Sequence, residues 1–156
     1  ITINTNTLSK PSKEQIINQA FKFHSQGNIS EAVKYYQLFI DQGFKDHRVF
    51  SNYGVILKDV GKLQDAELSQ RKAIELNPNF AEAHFNLGNI LKDLKKLDNA
   101  ISRFNKASEL GMDYNLCLSG IGNVLLEKGD YAEGITKLKA GQGTIQFDLK
   151  NGLSIS

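Results

Sequence analysis

Apolar residues recur along this chain with helical spacing, and they do so in pairs of stripes. Leu87, Ile90, Leu91 and Leu94 follow i, i+3, i+4, i+7, the pattern of one helix face. Leu97, Ala100, Ile101, Phe104 and Ala107 do the same after a short polar break, Lys95-Lys96. The preceding stretch has the same two-stripe form and breaks at Gly61-Lys62, where glycine can end a helix in the left-handed conformation. Asn77-Pro78 closes that stretch, because the residue before proline is pushed out of the helical region. The pattern predicts helix-turn-helix units in series.

The units share an interval. Laying residues 47–80 over 81–114 gives 13 identities in 34 positions, where unrelated segments of ordinary composition share about two. Extending the frame gives four units, starting at Lys13, His47, Ala81 and Asn115. Position 8 of the frame reads Ala20, Gly54, Gly88 and Gly122; position 20 reads Ala32, Ala66, Ala100 and Gly134. Small residues at fixed places mean close backbone approach, and the expectation is that positions 8 and 20 face each other across each helix pair.

This 34-residue pattern resembles the tetratricopeptide repeat. The second unit carries the resemblance best, through Tyr53-Gly54, Gly61, Ala66, Ala73 and Pro78. The third does so through Leu87-Gly88, Ala100, Phe104 and Ala107, with Met112 where proline is usual. Phe39, Gly134 and Gly141 depart from the pattern, and Gln70 replaces the aromatic of the second unit's second helix. The resemblance implies an all-α fold, a right-handed superhelix of four helix-turn-helix repeats at 13–46, 47–80, 81–114 and 115–140. First helices line its concave groove and second helices form its back. One hairpin cannot bury its stripe alone, and at least three stacked units are needed.

Residues 1–12 are rich in Thr, Asn and Ser and are expected to be flexible. Ser12 followed by Gln15 reads as a capping box that opens the first helix. The last stretch, 141–156, changes period. Residues 144–149 and 153–155 alternate apolar with polar, and Asn151-Gly152 is a strong hairpin signal. A short C-terminal β-hairpin is expected after a glycine joint. It either caps the apolar face of the last repeat or opens a further domain.

Composition narrows the function classes. A net charge of +2 is too small for a nucleic-acid footprint or a polybasic membrane anchor, so neither partner is expected. No apolar run approaches the roughly 18 residues that span a bilayer. No signal peptide is visible, and the first residue is Ile, so the chain is read as processed, trimmed or cut from a longer one. The single Cys117 cannot form an internal disulfide and fits a reducing, cytoplasmic location. Two prolines favour uninterrupted helix.

Catalytic motifs are missing. His24, His47 and His84 share no ligand spacing on one helix, so no metal is expected, nor any other cofactor. Cys117 sits among apolar residues and reads as a buried thiol. Function is therefore assigned to the groove, whose positions the resemblance puts at 2, 5, 6, 9, 12 and 13. Position 6 holds Asn18, Asn52 and Asn86, then Gly120; position 9 holds Asn89 and Asn123 in the last two units. Asparagine is a poor helix former, and its carboxamide both donates and accepts. The series is similar to the asparagine ladder by which some tetratricopeptide arrays hold a peptide backbone. The competing reading is that these residues bridge neighbouring helices or are merely solvated. Phe85 at position 5 is either a pocket wall or a packing contact. Lys58 and Lys92 at position 12, with Arg48 at position 2, form a basic stripe for acidic groups, although Asp59 and Asp93 cancel much of it. The clamp that some relatives use for a terminal carboxylate is not expected, since only the Asn positions match it.

The expected function is a scaffold module that binds a peptide or partner protein and is not an enzyme. The alternative is the N-terminal recognition domain of a larger modifying enzyme. Self-association through one array's edge, near Phe39 and Phe44, is a third expectation.

Overall fold

The computed structural model describes residues 10–142 in full and 145–148 and 152–155 as strands. The segment expected to be flexible lies outside the described residues up to position 9. Among the described residues eight helices follow in order: α1 (Lys13–Ser25), α2 (Ile29–Asp41), α3 (His47–Asp59), α4 (Leu63–Leu76), α5 (Ala81–Asp93), α6 (Leu97–Glu109), α7 (Tyr114–Lys128) and α8 (Tyr131–Gly141). Strands β1 (Ile145–Asp148) and β2 (Gly152–Ile155) pair antiparallel, with Ile145 opposite Ile155 and Asp148 opposite Gly152. Gly152 is thus a strand residue and not half of a two-residue turn; 149–151 lie outside the described residues. The chain divides into two compact units, Ile1–Lys45 and Asp46–Ser156.

Local chemistry accounts for the helix ends. Ser12 and Gln15 form the capping box: the Gln15 amide donates to Ser12 Oγ (3.2 Å) and the Ser12 amide to Gln15 Oε1 (2.8 Å). Asp46 caps α3 and Asp113 caps α7, the latter accepting from the Leu116 amide at 2.7 Å. Position 15 of the frame turns the chain between paired helices in the left-handed region every time. Gly27, Gly61 and Gly129 adopt φ of 72°, 79° and 92°, and Lys95 adopts 61°. Only the lysine carries a Cβ penalty there.

The first unit is one antiparallel pair, α1 against α2, with Ile16, Ala20, Ala32, Tyr36 and Phe39 buried. The second unit stacks three pairs, α3–α4, α5–α6 and α7–α8, with α4 against α5 and α6 against α7. Its main core is Leu87, Leu91, Ala100, Phe104, Ile121, Val124 and Leu125, drawn from two successive pairs. A smaller one joins Leu57 and Ala66 to Ile90.

The expected approach of positions 8 and 20 is seen in the last pair. A methyl group at Gly122 would stand 2.9 Å from the Gly134 carbonyl oxygen. Position 24 nevertheless lies nearest to position 8 wherever position 8 is glycine, and Leu138 would stand 2.7 Å from a methyl at Gly122. A methyl at Gly54 would meet Gln70 at 2.8 Å, and one at Gly88 would meet the Phe104 ring at 2.9 Å. The reason is reach: Ala66 and Ala100 are too short to fill the space over the glycine, and the longer side chain one turn further on fills it.

Candidate functional site

In the second unit, α3 neighbours α5 and α5 neighbours α7, whereas no comparable approach links α4 to α6 or α6 to α8. First helices are thus drawn together on one side of the stack. Asn52 on α3 and Asn86 and Asn89 on α5 are half-buried, and Asn123 on α7 is exposed. Asn18 is exposed on α1 in the first unit. Asn86 Nδ2 points to Ser51 Oγ across α3 and α5 at 3.4 Å, a long bond; Asn89 Nδ2 points to the Phe85 carbonyl at 3.4 Å. Each leaves carboxamide capacity unspent on these contacts.

Gly120 interrupts position 6, and the cause is steric. A methyl there would stand 2.9 Å from the Phe104 ring. Phe85 is half-buried and packs edge-on against the same ring, with centroids 5.3 Å apart. The cationic residues have local acidic partners. Lys58 Nζ lies 3.4 Å from Asp59, Lys92 Nζ lies 3.9 Å from Asp93, and the Arg48 guanidinium forks onto its own cap residue Asp46 at 2.8 and 3.1 Å. That fork holds the Asp46 carboxyl below its ordinary range although burial pushes it up.

Sequence reading did not single out Ser51 or Gln70 as a pair. Gln70 is fully buried; its Nε2 donates to the Ser51 carbonyl at 2.8 Å, while Oε1 is buried with no protein partner. Ser51 also receives Asn86, so a polar path runs from the slot between α3 and α4 to the Asn side. Gln70 at an aromatic position was the available signal.

Other charged groups tie pairs together. Glu67 of α4 accepts from Arg71 (2.8 Å) and from Lys96 (2.8 Å) before α6. Burial raises the Glu67 carboxyl, yet these two cations hold it below its usual range. Lys95–Glu127 (2.7 Å) and Lys128–Asp98 (2.6 Å) bridge the third and fourth pairs. His84 is buried. Its Nε2 donates to the Pro78 carbonyl at 2.9 Å, leaving Nδ1 to accept from Arg103 at 3.5 Å. Burial is the main cause of its lowered pKa, and Arg103 and Lys106 add to it. Burial raises the Cys117 thiol. Among the described residues, no three His, Cys, Asp or Glu side chains cluster as metal ligands, and no helix is long and apolar enough to cross a membrane.

Comparison with known proteins agrees with this architecture. The tetratricopeptide repeat family matches residues 47–80 and 70–107. Among solved structures the chain is similar to MamA, at 19% identity and a TM-score of 0.76, over 83% of this chain and 76% of that one. It is similar to YrrB, described as a TPR protein with an unusual peptide-binding site, at 20% identity and a TM-score of 0.75, over 84% and 69%. It is also similar to a mutant O-GlcNAc transferase of Thermobaculum terrenum, at 22% identity and a TM-score of 0.65, over 72% of this chain and 22% of that one. At such identities the likeness is one of fold. No curated protein sequence matches the chain. The matched models and the paired helices at a 34-residue interval agree: residues 47–107 of the chain carry tetratricopeptide repeats.

Proposed function

We propose that this chain is a protein-interaction scaffold that holds an extended peptide or partner segment along α3, α5 and α7, with no catalysis of its own. The four helix pairs are then four repeats of one frame. The observation that carries the reading is the set Asn52, Asn86, Asn89 and Asn123 on neighbouring first helices, each partly or fully exposed. Carboxamides in register suit the alternating N–H and C=O groups of an extended backbone whatever its sequence. The energetics limit what they do alone. A net hydrogen bond contributes about 1 kcal/mol, while association costs at least about 4 kcal/mol. Side-chain contacts with the partner therefore supply the rest. Lys58 and Lys92, half-screened by their aspartates, favour acidic groups only weakly.

A second reading makes the chain the recognition domain of a larger modifying enzyme. The likeness to a transferase of which it covers 22% supports it.

The test uses peptides selected from a random library on the wild-type chain. Calorimetry would then compare the wild type with Asn52→Ala/Asn86→Ala. The expected result is at least tenfold weaker binding, about 1.4 kcal/mol, at unchanged helix content. Equal affinities would remove the ladder from the account.

A further inference from the structure

The chain has three arginines, Arg48, Arg71 and Arg103, and two of them are neutralised where they stand. The Arg48 guanidinium forks onto Asp46, and Arg71 donates through Nε and Nη2 to Glu67 Oε1 at 3.0 and 2.8 Å. Arg103 differs. The α6 residues one turn away on either side are Asn99, Ala100, Lys106 and Ala107, none of them acidic. Among the described residues its polar neighbour is the uncharged Nδ1 of His84, 3.5 Å away, at the limit of a hydrogen bond. The Arg103 side chain borders an open cavity of about 530 Å³, which Ser102, Asn105 and Lys106 of α6 and His84 of α5 also line. Two carboxylates border it too, but each holds a lysine: Asp98 holds Lys128 at 2.6 Å and Glu109 holds Lys106 at 3.0 Å. The charge left over in the cavity is that of Arg103.

We propose that this cavity binds an oxyanion, a phosphate or carboxylate carried on the side chain of a partner peptide, with Arg103 as its anchor. The guanidinium is planar, and its paired N–H groups match two oxygens of such a group, so one contact supplies both charge compensation and orientation. Ser102 and Asn105 are exposed on the rim and add a hydroxyl and an amide as neutral donors. His84 senses the sign of the local field. It is 3% exposed, burial is the chief cause of its lowered pKa, and Arg103 and Lys106 lower it further. The positive potential therefore persists with Asp98 and Glu109 close by. An anion beside Arg103 compensates that potential. An exposed ion pair contributes little by itself, so the two-pronged fit and the rim donors set the affinity. The anchor stands on α6, apart from the asparagines of α3, α5 and α7, so this site does not rest on theirs.

The experiment is an NMR titration of the full chain, at about 0.15 M salt, with the capped tripeptides Gly-phosphoserine-Gly and Gly-Glu-Gly and with inorganic phosphate. The expected result is saturable movement of the 102–106 amides with both peptides. Arg103→Gln is expected to weaken phosphoserine binding about tenfold, and Arg103→Lys, which keeps the charge and loses the fork, about threefold. Ser102→Glu lies on the exposed rim, away from any core, and puts a carboxylate into the cavity; it is expected to abolish binding at unchanged helix content. Asn52→Ala/Asn86→Ala is expected to bind the phosphoserine peptide as the wild type does, which keeps the two sites separable. Equal affinity in the wild type, Arg103→Gln and Ser102→Glu overturns the proposal, as do unsaturable shifts spread over the lysines of every helix. Inorganic phosphate binding as tightly as the phosphoserine peptide overturns the peptide as occupant.

Discussion

The second and third helix pairs are built on one frame with 13 identities, yet they fill the same slot with opposite chemistry. In the third pair Phe104 lies between Gly88 and Gly120. In the second pair Gln70 lies over Gly54, while the next helix carries Asn86 where the later pair has Gly120. The two choices are coupled. A ring at position 24 takes the space that a side chain at the following position 6 would occupy. A slimmer carboxamide leaves that space to an asparagine. Packing at position 24 of one pair therefore decides whether the next pair can carry an asparagine at position 6.

The largest test of this contrast is Phe104→Ala. The ring is fully buried in the main core, so its removal costs about 3–5 kcal/mol by the cavity rule. Gln70→Ala costs clearly less, because it also removes a buried oxygen that has no protein partner. Urea unfolding monitored by circular dichroism compares them. Equal losses would mean that the two slots are not different in kind.

Gly120→Ala comes next. The added methyl meets the ring at 2.9 Å, and the ring is pinned on its other side by Gly88. Overpacking of this sort costs about 1–3 kcal/mol. The matched control is Asn86→Ala, which is expected to stay within about 0.5 kcal/mol of wild type. If the two changes cost the same, the space argument for the end of the asparagine series fails.

This coupling marks the limit of what could be read in advance. The period, the paired helices and the breaks at position 15 were legible because hydrophobic spacing and turn residues are local signals. α1, α3 and α5 begin at Lys13, His47 and Ala81, each at the first position of the frame. Position 8 was legible as a place of close approach, but its partner was not. Side-chain length decides that: position 24, as Gln70, Phe104 and Leu138, supplies the nearest contact. On the candidate face, the asparagines could be placed on first helices from the frame. The Phe85–Phe104 contact and the Asp46 fork on Arg48 depend on rotamers, which a repeat frame does not encode.

Gln70→Met asks whether the polar slot is a burden on folding. Methionine has nearly the same length and fills irregular space well. It forfeits the bond to the Ser51 carbonyl, whose oxygen sits within helix α3, and it removes Oε1. An unsatisfied buried acceptor costs about 1–3 kcal/mol, against about 1 kcal/mol for the lost bond. The expected outcome is a chain more stable by about 1 kcal/mol, seen as a higher urea midpoint at an unchanged slope. A less stable variant would show that the carboxamide is well satisfied and that the second slot is as good a core as the third.

The smallest difference between the two pairs sits in their turns. Gly61 adopts φ 79° without strain, and Lys95 adopts 61° in the same place with a Cβ. Lys95→Gly relieves about 1–2 kcal/mol of steric cost but gives back about 0.5–1 kcal/mol in chain entropy. It also loses the Lys95–Glu127 bridge, whose lysine is 72% exposed; such a pair contributes about 0–1 kcal/mol. The balance at ordinary ionic strength is a gain of about 0.3 kcal/mol. Salt separates the terms, because at 1 M the Debye length is about 3 Å and the exposed pair is screened while the backbone strain is not. The melting temperature gained by Lys95→Gly should therefore rise from 0.05 M to 1 M salt. A variant that melts lower at both salt concentrations would mean that the turn of the third pair holds its lysine without strain, and that the two turns differ in sequence only.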